Sequence, residues 1–182
     1  AVPGWEAAGG AVSAVANGAD NRIATFSSSD ALNGEANLTF DGTDLAATLD
    51  TATFTSANST DPLIVIKNTT NDANGARLRF VKDKGAAGAA DDVAGLIEFY
   101  ADDAAQDNIC FAAITGSVAV HTNGQEGGKL TLAVASHDGE TQPGLVITDG
   151  SAEDEVDVTI GNGGAAVVQC PGILSGAAGL QG

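Results

Sequence analysis

Histidine, aromatic residues and cations are scarce in this chain, and each scarcity closes off a class of function. The only imidazoles in 182 residues are His121 and His137. They stand in "AVHTNGQEGG" and "ASHDGETQPG", settings that favour an exposed turn residue over a general base or metal ligand. No serine occupies a G-x-S-x-G elbow, so no nucleophile is indicated. Aromatics make up 4%, with one Trp and one Tyr, which is thin for the stacking walls of a carbohydrate cleft. The two cysteines, Cys110 and Cys170, have no C-x-x-C spacing, so a zinc site is poorly supported. Cys110 lies in the apolar run "NICFAAITG", where a buried free thiol is the default and a Cys110–Cys170 disulfide the lesser alternative. No apolar run approaches the ~18 residues of a membrane helix, and no basic-then-apolar leader opens the sequence, so the chain is expected to be soluble. With no methionine anywhere, it is expected to have lost an initiator or to have been cut from a longer precursor. Seven Lys and Arg against 24 Asp and Glu give a net charge of −17. Such a surface repels phosphate backbones and anionic headgroups, which argues against nucleic-acid or membrane partners.

What is abundant is short apolar alternation broken by Gly, Asn and Asp, the signature of an all-β chain of short antiparallel strands. "ANLTF" sets Leu38 and Phe40 against Asn37 and Thr39 and then turns at "DGTD". "ARLRF" puts Ala76, Leu78 and Phe80 opposite Arg77 and Arg79. "KLTLAVAS" and "VDVTIGNGG" repeat the pattern with Leu130, Leu132 and Val134 and with Val156, Val158 and Ile160. Each predicts a strand with one wet face. "PLIVIK" is apolar on both faces and "ICFAAITGSVAV" nearly so, and both predict strands covered on two sides, for which another copy of the chain is one available second cover. "VAGLIEFYA", residues 93–101, reads as a strand because its β-branched and aromatic residues outweigh the alanines around it. "SSSDALNGE", "DDAAQDN" and "GSAEDE" are the short stretches that suggest a helical turn.

Residues 1–60 are rich in small residues and predict an extended amino-terminal arm, an attachment segment bounded near Pro62. Residues 61–150 form the expected β-rich module, and 151–182 a last strand followed by a Gly/Ala-rich tail. The expected fold is a sandwich or an intertwined trimeric β module. Five of the seven cations, Lys67, Arg77, Arg79, Lys82 and Lys84, share one window. Exposed strand and turn positions are favoured there over an anion site. Among the carboxylate groups Asp91–Asp92, Asp102–Asp103 and Glu153–Glu155, calcium is the most credible cation, through Asp102, Asp103, Asp107 and Asn108 in "DDAAQDN". That spacing matches no EF-hand loop, so solvated turn carboxylates are favoured and neither a metal nor a cofactor is assigned. The loops "DANGA", "HTNGQEGGK" and "IGNGG" lack the strand, helix and lysine order of a phosphate cradle and read as turns. No catalytic residue emerges. The residues expected to matter as core or subunit contacts are Leu63, Ile64, Val65, Ile66, Leu78, Phe80, Ile97, Phe99, Phe111 and Ile114.

Two stretches carry a family resemblance. "VSAVANGADNRIATFSSSDALNGEANLTFDGTDL" resembles the short repeats of tail-fibre and related appendage proteins of tailed bacteriophages. Residues 71–139, with "LRF", "DDVAGLIEFY", "AAITG" and "EGGKLT" in order, resemble the β-rich module that often follows such repeats. Together they span roughly residues 12–150. The resemblance implies a non-enzymatic structural protein of the virion, a homotrimeric fibre, spike or capsid decoration protein. It would be joined to other capsid or tail proteins through the amino-terminal arm. The alternative is a glycan-binding module, receptor-binding or lectin-like, which requires aromatic platforms; Trp5 lies in the arm, leaving Tyr100 and the phenylalanines.

Overall fold

The computed structural model describes residues 15–28 and 31–169. Every regular element among them is a β-strand, and the strands fall into two sheets. The stretches that suggested helical turns are not helical. Residues from Leu32 onward are strand, and the other two are tight turns closed by their own carboxylates. Asp103 accepts from the N–H groups of Ala105 (2.8 Å) and Asp107 (3.0 Å). Glu155 accepts from the N–H groups of Ser151 (2.7 Å) and Ala152 (2.9 Å). These side chains satisfy the turn backbone locally, so nothing remains to drive a second helical turn.

The chain divides into two compact units, Ala1–Val65 and Ile66–Gly182. In the first, β1 (Val15–Ala16), β2 (Arg22–Phe26), β3 (Leu32–Phe40) and β4 (Leu45–Ala47) make a small sheet centred on β3. The expectation of an extended arm is therefore amended for residues 15–47; residues 1–14 of that arm lie outside the described residues. A polar network holds this sheet. Asn17 Nδ2 donates to Asn33 Oδ1 (2.9 Å), Arg22 Nη1 donates to the Asn17 carbonyl (2.6 Å), and the Thr25 hydroxyl donates to Glu35. Gly34 is required where the Asn17–Gly18 backbone crosses β3, because a Cβ there would sit 2.9 Å from the Asn17 carbonyl oxygen. The predicted turn "DGTD" is present, with the Asp41 carboxylate accepting from the N–H groups of Thr43 (2.9 Å) and Asp44 (2.7 Å).

The second unit is built on β5 (Val93–Asp102), β6 (Asn108–Val120), β7 (Gly127–Ala135), β8 (Thr141–Asp149) and β9 (Val156–Ile160). They form an antiparallel meander paired in chain order. Since β9 completes this sheet, the division drawn at residue 150 falls inside one structural unit. The predicted strands "VAGLIEFYA", "ICFAAITGSVAV", "KLTLAVAS" and "VDVTI" are all present, whereas β8 was not expected. It contains Pro143, which lacks an N–H for the ladder, and tolerates it beside a register shift that leaves Gly144 between the pairs Leu132–Leu145 and Ala133–Pro143.

Two predicted strands do not form. Residues 62–67, "PLIVIK", carry no strand pairing, and Leu63, Ile64, Val65 and Ile66 are 51–75% exposed. Residues 76–80, "ARLRF", are likewise without a ladder. Their alternation suits a strand, but among the described residues no segment pairs with them. Burial is correspondingly slight. Among the described residues no apolar side chain is buried, and the residues that are buried are two glycines, Gly34 and Gly127.

Candidate functional site

The cross-strand register of the second unit decides which side chains share a face. Directly opposed residues of antiparallel neighbours project to the same side. One row runs Ile97, Ile114, Leu132, Leu145, Ile160, and the adjacent row on the same side runs Gly95, Gly116, Leu130, Ile147, Val158. The opposite side carries Leu96, Thr115, Thr131, Val146, Thr159, and beyond them Ser117, Lys129, Thr148, Asp157. The sheet thus has one apolar face and one mixed face, on which Leu96 and Val146 stand among threonine, serine and charged residues. This corrects the reading of "ICFAAITGSVAV" as two-sided: Ile114 and Val118 face one way and Thr115 and Ser117 the other.

The apolar face is open. Ile97 is 38% exposed, Leu132 37%, Val158 56% and Ile160 59%. Its one cover among the described residues is Phe80, which lies over Gly95, where a Cβ would come within 2.7 Å of Phe80 Cβ and 2.8 Å of Cγ. Phe80, Gly95, Gly116, Ile97, Ile114 and Leu130 line a cavity of about 270 Å³. The two glycines, opposite one another on β5 and β6, leave a notch in the second apolar row, and the aromatic ring enters it.

Of the residues expected to form contacts, the fold thus brings together Phe80, Ile97 and Ile114. Phe99 shares the apolar side, opposite Ala112, and Phe111 is left unpaired by the register shift between Phe99–Ala112 and Tyr100–Cys110. Leu63, Ile64, Val65, Ile66 and Leu78 do not join this cluster. Leu145 and Ile147 were missed because their strand was missed; their two-residue spacing was the available signal.

No arrangement for bond-making chemistry appears in the carboxylate groups. Asp91 pairs with Lys129 (2.7 Å), and Asp92 with Lys84 (2.6 Å) and, more distantly, Lys82 (3.9 Å). The Lys84 hydrogen bond, helped by the Ala89 N–H, holds the Asp92 carboxyl below its usual value. The Asp91–Lys129 pair ties residues 82–92 to β7, and the two Asp92 pairs close that segment on itself. Among the described residues no group of three or more His, Cys, Asp or Glu is placed to hold a metal ion. In "DDAAQDN" the Asp103 carboxylate is spent on the turn.

A cavity of about 660 Å³ between the β6–β7 and β8–β9 loops is walled by Glu126, Asp149, Glu153 and Asp154. The Glu126 carboxylate there is held by the Gly124 N–H (2.9 Å) and lies below its usual value for that reason. Tyr100 donates weakly to Glu98 (3.4 Å), and the Glu98 charge, then Cys110, pushes the phenol up. Cys110 is half-buried, its thiol directed at the Ala112 carbonyl (3.4 Å). Cys170, and with it the question of a disulfide, lies outside the described residues, as does Trp5. Both His121 and His137 are exposed.

Comparison with protein-family models, with curated proteins and with solved structures yields no match. The apolar face of the second sheet is therefore the candidate functional surface, and what it can do is bind another apolar surface.

Proposed function

We propose that this chain is a non-enzymatic structural protein of a tailed-bacteriophage virion, a homotrimeric fibre, spike or capsid-decoration subunit. One observation carries the reading: the row Ile97, Ile114, Leu132, Leu145, Ile160 crosses all five strands, and among the described residues its face has no cover beyond Phe80. Completing the burial of Ile97, Leu132 and Ile160, which are 37–59% exposed, stabilises by roughly 1 kcal/mol each. A sheet with such a face gains its core when copies present it to one another about an axis. Closure by cyclic symmetry also keeps the face from open-ended association. The resemblance of residues 12–150 to phage appendage proteins supplies the virion, and the carboxylates engaged by turns and lysines supply no competing chemistry.

Sedimentation equilibrium tests the assembly. The expected mass is about 54 kDa, three times the 17.9 kDa chain, and a 17.9 kDa species at micromolar concentration would refute the trimer. Immunogold imaging of intact particles with an antibody to the chain tests the location. Labelled particles are expected, and purified particles without label would refute a virion role.

A further inference from the structure

Residues 62–84 are a described stretch that no strand pairing accounts for. Among the described residues, 63–67 and 76–82 exchange no backbone hydrogen bond with one another or with any other segment, although they bear alternating or continuous apolar side chains. The turn between them is nonetheless built. Asn68 Nδ2 donates to the Asn74 carbonyl (3.0 Å), Asn68 Oδ1 accepts from the Thr70 N–H (2.8 Å), and Asp72 Oδ1 accepts from the Asn74 N–H (2.9 Å). A turn fixed by side chains presents two arms whose N–H and C=O groups are free to enter a ladder. Backbone groups of apolar segments are seldom left in that state once the segment is covered.

Charge says what covers it. Within 62–84 lie Lys67, Arg77, Arg79, Lys82 and Lys84 against Asp72 and Asp83, a net charge of +3, and the rest of the chain therefore carries −20 of the total −17. Lys82 and Lys84 are engaged by Asp92. No ion pair or hydrogen bond is formed by Lys67, Arg77 or Arg79 with any described residue. A basic, unladdered segment on an otherwise acidic chain is complementary to the remainder of the same chain.

We propose that residues 62–67 and 76–82 complete their backbone ladder with a second copy of this chain, so that subunits are intertwined through these arms rather than docked as finished domains. Lys67, Arg77 and Arg79 then meet the acidic surface of that copy. This rests on the homo-oligomeric reading above and adds to it which segment is exchanged and by what bonds.

Hydrogen exchange followed by mass spectrometry, run beside sedimentation on the same sample, separates the two claims. In the assembled protein, amides of 63–67 and 76–82 are expected to exchange about 100-fold more slowly than in a dissociated Leu132→Asp variant. An oligomer in which these amides exchange freely would overturn the intertwining while leaving the oligomer standing. A monomer by mass would overturn both. The double variant Arg77→Glu/Arg79→Glu offers a route that leaves the sheet untouched. At least tenfold weaker association is expected, and unchanged association would remove the charge complementarity on which the choice of partner rests.

Discussion

Adding one methyl group at Gly95 tests the packing of the apolar face most directly. The new Cβ would lie 2.7 Å from Phe80 Cβ and 2.8 Å from Cγ, distances that real Cβ atoms do not adopt. The near atoms belong to the root of the Phe80 side chain, so rotating the ring does not relieve the contact and the residue must withdraw. Phe80 is 49% exposed. About half of a ~200 Å² aromatic surface is therefore lost from the notch, a cost of about 2.5 kcal/mol. Replacing a strand glycine by alanine returns about 0.5–1 kcal/mol. The net expectation for Gly95→Ala is a loss of roughly 2 kcal/mol, or about 4–8 °C in Tm for a chain of this length.

Gly116 is the internal control. It stands opposite Gly95, and a Cβ there would meet nothing within 4 Å, so Gly116→Ala should be neutral or slightly stabilising. The assay is urea unfolding of Gly95→Ala, Gly116→Ala, Phe80→Ala and Phe80→Ala/Gly95→Ala at one protein concentration, since association adds to apparent stability. In the Phe80→Ala background the penalty at Gly95 should vanish, giving a coupling of about 2 kcal/mol. Equal behaviour of the two glycine variants, or an unchanged Gly95 penalty without the ring, would refute the notch.

Leu132→Asp, on the apolar row, is expected to dissociate the oligomer in sedimentation, whereas Thr131→Asp, its neighbour on the opposite face, is expected to leave the mass unchanged. The Glu155 carboxyl, held down by the Ser151 hydroxyl and then by the Ser151 and Ala152 N–H groups, should titrate below its usual value of 4.5. Its contribution to the β8–β9 turn is present above that value and lost as pH falls through the lowered one. NMR titration should show this, with Ser151→Ala moving the midpoint upward. Asp92→Ala should destabilise more than Asp91→Ala, because Asp92 also caps the Ala89 N–H (2.8 Å) whereas Asp91 is 79% exposed in its pair with Lys129. The exposed pair should contribute less than about 1 kcal/mol in thermal unfolding.

The strands that were legible share one property. "ANLTF", "KLTLAVAS" and "VDVTI" alternate strictly, so the period of two survives in the residue types alone. The β8 strand was hidden by Pro143 and Gly144, a pair that ordinarily ends a strand and here sits at a register shift. The cluster of Phe80, Gly95 and Gly116 was half legible. Phe80 could be named as a contact residue from its alternation, but its seat depends on which residues of β5 and β6 stand opposite each other. Register is a product of pairing and is not written in either strand. The carboxylates misled for a related reason, since Asp103 and Glu155 look like free ligands until the turn amides they accept from are placed beside them.

"PLIVIK" was misread as a strand for a deeper cause. Periodicity reports what the side chains and backbone of a segment require, not which molecule meets the requirement. Residues 63–67 have the composition of a strand covered on both faces, yet among the described residues nothing pairs with their backbone and their side chains are exposed. The same holds for the sheet face behind Ile97 and Leu132, where alternation on five strands aligns an apolar surface that no second layer covers. Two requirements of different kinds, one for backbone partners and one for apolar cover, are thus left open by the same chain. The one net-basic segment of an acidic molecule is where the first of them lies. Under the proposal above another copy meets both requirements, and the hydrogen-exchange comparison asks that question of the backbone directly.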